Sequence, residues 1–193
     1  MRTVLSLVLL AALPTGAAAF DTVALADPAA LQGLRQVHVA ETQLALPEPA
    51  HRFALRGGEP RPVRDSDAAA RAEALTRALR RGLGDAFELV EAPGPGVLVV
   101  RPRLDALASS RPTLADHARQ PGLSFQSVYA GGASIHITLE RDGREVGQLT
   151  DRYTGSLADG MPRVGVWQDS DRAFSRWSRQ LPELLQPPAL AKR

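Results

Sequence analysis

The chain has 193 residues, 44% of them hydrophobic and 23% charged, with a formal net charge of +2. That composition belongs to a folded chain rather than a disordered one, and the near-neutral balance supplies no bulk field for nucleic acid or acidic lipid. Cysteine is absent, which excludes disulfides, thiolate metal sites, cysteine catalysis and a lipid-modified cysteine at a processed N-terminus.

The first nineteen residues read as a secretory signal peptide. Arg2 gives a positive start, and Val4 to Leu13 is an uncharged apolar run of about ten residues. Pro14 and Gly16 break it, and Ala17, Ala18 and Ala19 form a small-residue cleavage site. The run is shorter than the about 20 residues that cross a bilayer. Residues 1–19 are therefore expected to be removed, leaving a periplasmic chain that begins at Phe20, with no later segment apolar enough to span a membrane. What remains suits one domain with its own core. The basic residues are almost all arginine, with Lys192 the only lysine, which we read as genome composition rather than as a phosphate-binding trait.

Residues 20–34 form an opening segment with a short helix at Pro28–Leu34, followed by a single domain over 35–186 and a loose tail over 187–193. Arg35 to Leu46 has strand character, with Val37 and Val39 on one side and His38, Ala40 and Thr42 on the other. Residues 47–64 hold four prolines and Gly57-Gly58 and read as a loop. A helix follows, capped by Asp65, Ser66 or Asp67, with Ala68, Ala72, Leu75, Leu79 and Leu83 as its apolar face. Gly82 and Gly84 are expected to stop it.

Ala86 to Glu91 reads as a short strand, and Pro93 to Gly96 as a tight turn into a strand over Val97–Leu104. Pro102 places that strand's end at an edge or bulge. Residues 105–124 read as a loop. The clearest hairpin spans Ala133 to Thr154 around Asp142-Gly143, a type I′ dipeptide, with Gly147 as a bulge candidate. A loop over 155–166 leads to a last helix over Asp169–Leu185. Asp169, Ser170 and Asp171 are its caps, and Ala173, Phe174, Trp177, Leu181 and Leu184 its apolar face. Pro182 should kink or fray its final turn. The order β-α-β-β-β-β-α implies an α+β fold of two layers, a mostly antiparallel sheet with two helices on one face.

Four segments of the second half carry a resemblance. They are Pro93-Gly94-Pro95-Gly96-Val97-Leu98, Tyr129-Ala130-Gly131-Gly132-Ala133-Ser134-Ile135, Asp151-Arg152-Tyr153-Thr154-Gly155, and Trp167-x-Asp169 followed by Ala173-Phe174-x-x-Trp177. In this order they resemble, over about residues 35–186, a family of bacterial envelope lipoproteins catalogued as a domain of unknown function. The resemblance implies an exported α+β domain and no known reaction. Typical members carry a lipidated cysteine after the signal. This chain has none, so we expect a free periplasmic protein.

The candidate chemistry is sparse. His38, His51, His117 and His136 do not pair at metal-ligand spacing. Ser134 and His136 share a strand face, and with Asp151 on the partner strand they sketch a hydrolase triad. No G-x-S-x-G surrounds Ser134, however. Asp105, Asp116, Asp142, Asp151, Asp159, Asp169 and Asp171 fall mostly in predicted turns and caps, where aspartate serves local hydrogen bonding. Pro93 to Gly96 lacks the lysine and helix of a phosphate loop. No cofactor or metal is implied.

The reading is a non-enzymatic periplasmic accessory or binding protein that contacts an envelope protein. Its surface would be the exposed sheet face around Arg101, Arg103, His136 and Thr138, or the long loops. The alternatives are a small-ligand carrier, with its site between the sheet and the 105–124 and 155–166 loops, and the serine hydrolase.

Overall fold

The computed structural model describes residues 20–46, 63–159, 162 and 164–186. The expected signal peptide, most of the 47–64 loop with His51, and the tail over 187–193 lie outside the described residues. The expected α+β architecture is present: one mixed, mostly antiparallel sheet with two long helices packed on one face.

Seven strands form the sheet. In chain order they are β1 (Thr22–Leu25), β2 (Gln36–Val39), β3 (Gln43–Leu44), β4 (Glu88–Leu89), β5 (Leu98–Ala108), β6 (Gly132–Arg141) and β7 (Arg144–Thr154). The helices are α1 (Asp65–Gly84), the short α2 (Leu114–Arg119) and α3 (Gln168–Leu185). Across the sheet the order is β1-β7-β6-β5-β2-β4, with β3 also beside β5. The run from β1 to β5 is antiparallel, whereas β2 and β3 pair with β5, and β4 with β2, in parallel. Parallel neighbours need a long crossover, and α1 supplies it between β2–β3 and β5.

Several elements differ from the sequence expectation. The opening segment is more than a lead-in, since β1 adds an edge strand to β7 with Val23 opposite Leu149. Only Pro28–Leu31 is helical there, as a single 3-10 turn. The expected strand over 35–46 is split into β2 and β3 by residues 40–42. The 105–124 loop contains the end of β5 and all of α2. Thr113 and Asp116 close a reciprocal capping box on α2, with the Thr113 N–H and hydroxyl donating to Asp116 Oδ2 at 2.7 and 2.8 Å.

Pro102 lies in the interior of the sheet, not at its edge, and the strand break explains why. The carbonyls of Val100 and Leu104 accept from Ala40 and Ala45, so both face the β2–β3 side. Alternation along a strand turns Pro102 to that side too. There its missing N–H meets residues 40–42, which are out of strand and demand no ladder bond. Toward β6, Pro102 sits opposite Ile137 in an unbroken register.

Two bulges keep apolar side chains on one face. Asp105 is an extra residue in β5, so that Leu104 and Leu107 oppose Ile135 and Ala133, all four in the core. Val146 is the extra residue in β7, next to the expected Gly147. The hairpin turn is as expected: Asp142 and Gly143 both have positive φ, 52° and 73°. Asp142 Oδ1 also accepts from Gly96 N at 2.7 Å, tying the 93–96 turn to the hairpin.

The core lies between sheet and helices. Val37, Val39, Leu98, Val100, Ile137 and Leu149 meet Leu75, Leu79 and Leu83 of α1 and Phe174, Trp177 and Leu181 of α3. Full burial of each such side chain contributes roughly 1.5–3 kcal/mol. Leu185, not Leu184, fills the last core position of α3, and Leu184 is half-buried beside it. Neither long helix has a side-chain N-cap bond; Arg64 and Trp167 occupy the cap positions.

The expected terminator Gly82 has a different duty. It lies within α1, where the helix crosses α3, and a Cβ there would overlap the Ser178 carbonyl. In a regular helix that carbonyl accepts from residue 182. Residue 182 is proline, which has no N–H to give, yet α3 continues through it to Leu185. The Gly82 Cα–H therefore approaches the carbonyl that Pro182 leaves open, in the manner of a Cα–H···O contact.

In an unconstrained helix Gly→Ala stabilises by about 1 kcal/mol. Here Gly82→Ala is expected to destabilise by about 1–3 kcal/mol, because a backbone carbonyl must move. Urea unfolding of the variant reads the sign directly, and a gain in stability would refute the close approach.

Candidate functional site

The fold offers four places where polar or exposed side chains converge. The first ties the loops together. Asp169, fully buried at the start of α3, is a clamp rather than the expected helix cap. The Ser110 hydroxyl and Gly131 N–H donate to its Oδ2 at 3.0 and 3.1 Å. Its own N–H donates to Ser110 Oγ at 3.0 Å, and Arg172 pairs with its Oδ1 at 3.1 Å. Gly155 and Gly131 leave the room this needs: a Cβ at 155 would strike the Asp169 carboxylate, and one at 131 would strike Ser110. Backbone bonds extend the clamp, Ser110 N to Val166 O, Tyr129 N to Ser110 O and Gly155 N to Gly131 O. It thereby joins the end of β5, the start of β6, the end of β7 and the start of α3. Three of the four segments singled out by the sequence, at 129–135, 151–155 and 167–177, meet at this one carboxylate.

The second is Asp151. It lies opposite Ile135 on the core face of β7 and is buried. Trp177 Nε1 donates to its Oδ2, and Asp21 N donates to its Oδ1 at 3.2 Å. Arg176 reaches it only at 3.8 Å, and the Asp21 carboxylate, which accepts from Arg152 N at 2.9 Å, stands beside it. Burial raises the Asp151 pKa above the usual carboxylate range. The hydrogen bond from Trp177 and the charge of Arg176 oppose this, and the Asp21 carboxylate adds to it.

The third is the open face of the sheet. Arg101, Arg103, His136 and Thr138 do sit together there: Arg101 opposes Thr138, and Arg103 opposes His136. Their charges are already paired within the molecule. Arg101 bonds Glu140 at 2.8 Å and Arg103 bonds Asp105 at 2.6 Å, which raises the Arg103 pKa further above its ordinary value. Ser134 lies on the same face, accepting from Arg152 Nε at 3.1 Å. The triad sketched from the sequence is not assembled, because Asp151 points to the opposite side of the sheet from Ser134 and His136. A two-residue alternation along β7 decides this: Arg152 and Thr150 share the outer face, and Asp151 between them cannot.

The fourth is the loop end around the Asp169 clamp. Leu114, Phe125, Leu157 and Val164 are 65%, 71%, 58% and 77% exposed, and Val128 is 43% exposed. All come from the loops that the clamp gathers. Arg111 donates to Val164 O at 3.1 Å, and the His117 ring lies 3.7 Å from that of Phe125. Sequence periodicity passed over these residues because they lie in loops or at the first position of short helical turns, as Leu114 and Leu157 do. The available signal was the presence of large apolar side chains inside segments otherwise rich in turn residues.

A groove of about 900 Å³ lies elsewhere, between α1 and β2–β3, lined by His38, Glu41, Thr42, Thr76, Arg77 and Glu91 among others. It is not beside the 105–124 and 155–166 loops, where a carrier site was expected. Its floor is satisfied internally, with Thr42 N donating to Thr76 Oγ1 at 3.0 Å and His38 Nδ1 to Val90 O at 3.1 Å. Among the described residues no group of three or more His, Asp or Glu side chains is placed to hold a metal ion. No described helix is long and apolar enough to cross a membrane.

A family model described as a protein of unknown function, DUF3313, matches residues 54–181, more than half of the chain. The chain belongs to this family. The matched span contains all four segments quoted above, and the family description assigns no reaction. No curated protein matches the sequence. Among solved structures, a Xanthomonas campestris protein of the DUF330 family is 16% identical, covering 78% of this chain and 83% of that one, with a TM-score of 0.46. A dodecameric PelC variant from Paraburkholderia phytofirmans is 13% identical, covering 83% and 96%, with a TM-score of 0.43. PelC from the same organism in another crystal form, also a dodecamer, is 11% identical, covering 76% and 88%, with a TM-score of 0.42.

Two expectations follow. Asp169→Ala leaves the Ser110 hydroxyl, the Gly131 N–H and the Arg172 guanidinium without their carboxylate and should cost about 3–5 kcal/mol in urea unfolding. A loss below about 1 kcal/mol, an ordinary surface effect, would show that the clamp is not needed. The second concerns Asp151 in a chain that keeps residues ahead of Phe20. A carboxyl with a raised folded-state pKa stabilises fully below its unfolded pKa and loses that contribution as pH rises through the folded value. Stability should therefore fall from the ordinary carboxylate range upward, and Asp151→Asn should flatten that part of the pH profile.

Proposed function

We propose that this protein is an exported periplasmic accessory protein that works by protein–protein contact, using the loop end of its sheet as the docking surface. The observation that carries this is that Leu114, Phe125, Val128, Leu157 and Val164 are all exposed and all lie in the segments running to or from residues 110, 131, 155 and 169, which meet at the buried Asp169. Exposed apolar side chains concentrated on one end of a fold mark interaction sites, whereas single ones scattered over a surface do not. The open sheet face is the weaker surface, because its arginines are already paired with Glu140 and Asp105. The export reading rests on the order of charge, apolar run, breaker and alanines in residues 1–19. The carrier reading rests on the groove beside α1 and comes second, since His38, Thr42 and Thr76 along it already have partners within the molecule.

In-cell cross-linking of the exported protein tests the surface. Phe125→Asp combined with Val164→Asp should abolish the major cross-linked partner while shifting stability by no more than about 0.5 kcal/mol, as expected of exposed positions. If that variant keeps its partner and Thr138→Arg loses it, the contact lies on the sheet face instead.

A further inference from the structure

The Asp21–Asp151 site sets the exposed Asp21 carboxylate beside the buried Asp151 one, and the cation paired with Asp151 among the described residues, Arg176, stands 3.8 Å away. Asp151 is buried on the core face of β7, and the groups around it come from three elements. From α3 come the Trp177 indole and the Arg176 guanidinium, the latter 3.8 Å away. From the segment leading into β1 come the Asp21 N–H and carboxylate. From β7 itself comes the Arg152 N–H, bonded to Asp21, while the Arg152 guanidinium goes to Ser134 on the other face of the sheet. A buried carboxylate whose counter-charge stands at the edge of ion-pair range is only partly compensated, and a second carboxylate beside it makes its ionisation less favourable still.

Phe20 immediately precedes this site and is itself buried, 3% exposed, within the core cluster. Adjacent backbone nitrogens lie at most about 3.7 Å apart. With Asp21 N 3.2 Å from Asp151 Oδ1, the Phe20 nitrogen is therefore within roughly 7 Å of that carboxylate. As a peptide nitrogen it is neutral. Hydrolysis of the Ala19–Phe20 bond consumes one water, leaving a carboxylate on Ala19 and an ammonium on Phe20.

We infer that the Phe20 α-ammonium is the missing cation of the Asp21–Asp151 site, so that removal of residues 1–19 completes the fold's charge pairing. The inference rests on the export reading above and adds a role for the new N-terminus. It makes residue 20 a modification site with a structural consequence. The precursor's carboxylates have Arg176 at 3.8 Å as the cation paired with Asp151 among the described residues, and the processed chain adds an ammonium beside them. The buried Phe20 ring holds the ammonium in place, which an exposed terminus would not do.

Three forms of the chain ending at Arg193 test it: one beginning at Phe20 with a free amine, one beginning at Phe20 with an acetylated amine, and one beginning at Ala17. At a pH between carboxylate ionisation and the ordinary α-amino pKa of about 7.7–8.0, the free-amine form should melt about 2–4 °C above the other two. The advantage should vanish in Asp151→Asn, or in Asp21→Asn if the former fails to fold. It should also shrink as pH rises through the amine's folded-state pKa, since a cation gaining partners stabilises below that value and not above it. Equal melting of all three forms, failure of the free-amine form to fold, or an advantage that survives both substitutions would overturn the inference. Mass measurement of the exported protein's N-terminus tests the reading beneath it separately. A start at another residue defeats export processing at Phe20, whatever the melting data say about the ion pair.

Discussion

The fold depends on one buried carboxylate more than on any other polar group. Asp169 is surrounded by protein, and a charge in that position is tolerable only when its lone pairs are filled. Ser110, Gly131 and Arg172 fill them. Each belongs to a different part of the chain, so satisfying the carboxylate forces the end of β5, the start of β6 and the first turn of α3 to one point. Hydrogen bonds to a charged group are worth roughly 1.5–3 kcal/mol each, against about 1 for a neutral pair. The clamp can therefore hold loops that apolar packing alone would leave loose.

A second constraint sets the helix layer. Gly82 and Pro182 are both poor helix residues, and each sits inside a long helix. Their costs are offset together: the proline leaves the Ser178 carbonyl without its intrahelical donor, and the glycine lets α1 come close enough to cover that carbonyl. This crossing sets the spacing at which Leu75, Leu79 and Leu83 meet Trp177 and Leu181 over the sheet.

What could be read from the sequence was what depends on neighbours along the chain. The alternation at Val37 and Val39, the apolar stripe from Ala68 to Leu83 and the Asp142-Gly143 hairpin are local patterns, and the structure contains all three. What escaped depends on distant residues. β1 is a four-residue strand whose assignment comes from β7, not from its own pattern. The parallel pairing of β2 with β5 follows from the α1 crossover. Pro102 reads as an edge residue unless one knows that residues 40–42 interrupt its neighbour. Asp169 and Asp151 look like a cap and a catalytic candidate because burial is invisible to spacing. Ser134 and His136 were correctly placed on one strand face, and the face on which Asp151 lies separates it from them.

The gap opposite Pro102 also divides the sheet into halves with unequal ladders. On one side of β5 runs a nearly continuous ladder through β6 to β7, in which β6 and β7 are closed by a two-residue turn. On the other side, β2, β3 and β4 are short pieces of two to four residues; β2 and β3 join β5 only after the chain has passed through α1, and β4 joins β2. The two halves share one core, since Val37 and Val39 pack in it with Leu98 and Val100, but their backbone ladders differ in length, and the missing proline donor marks the seam between them.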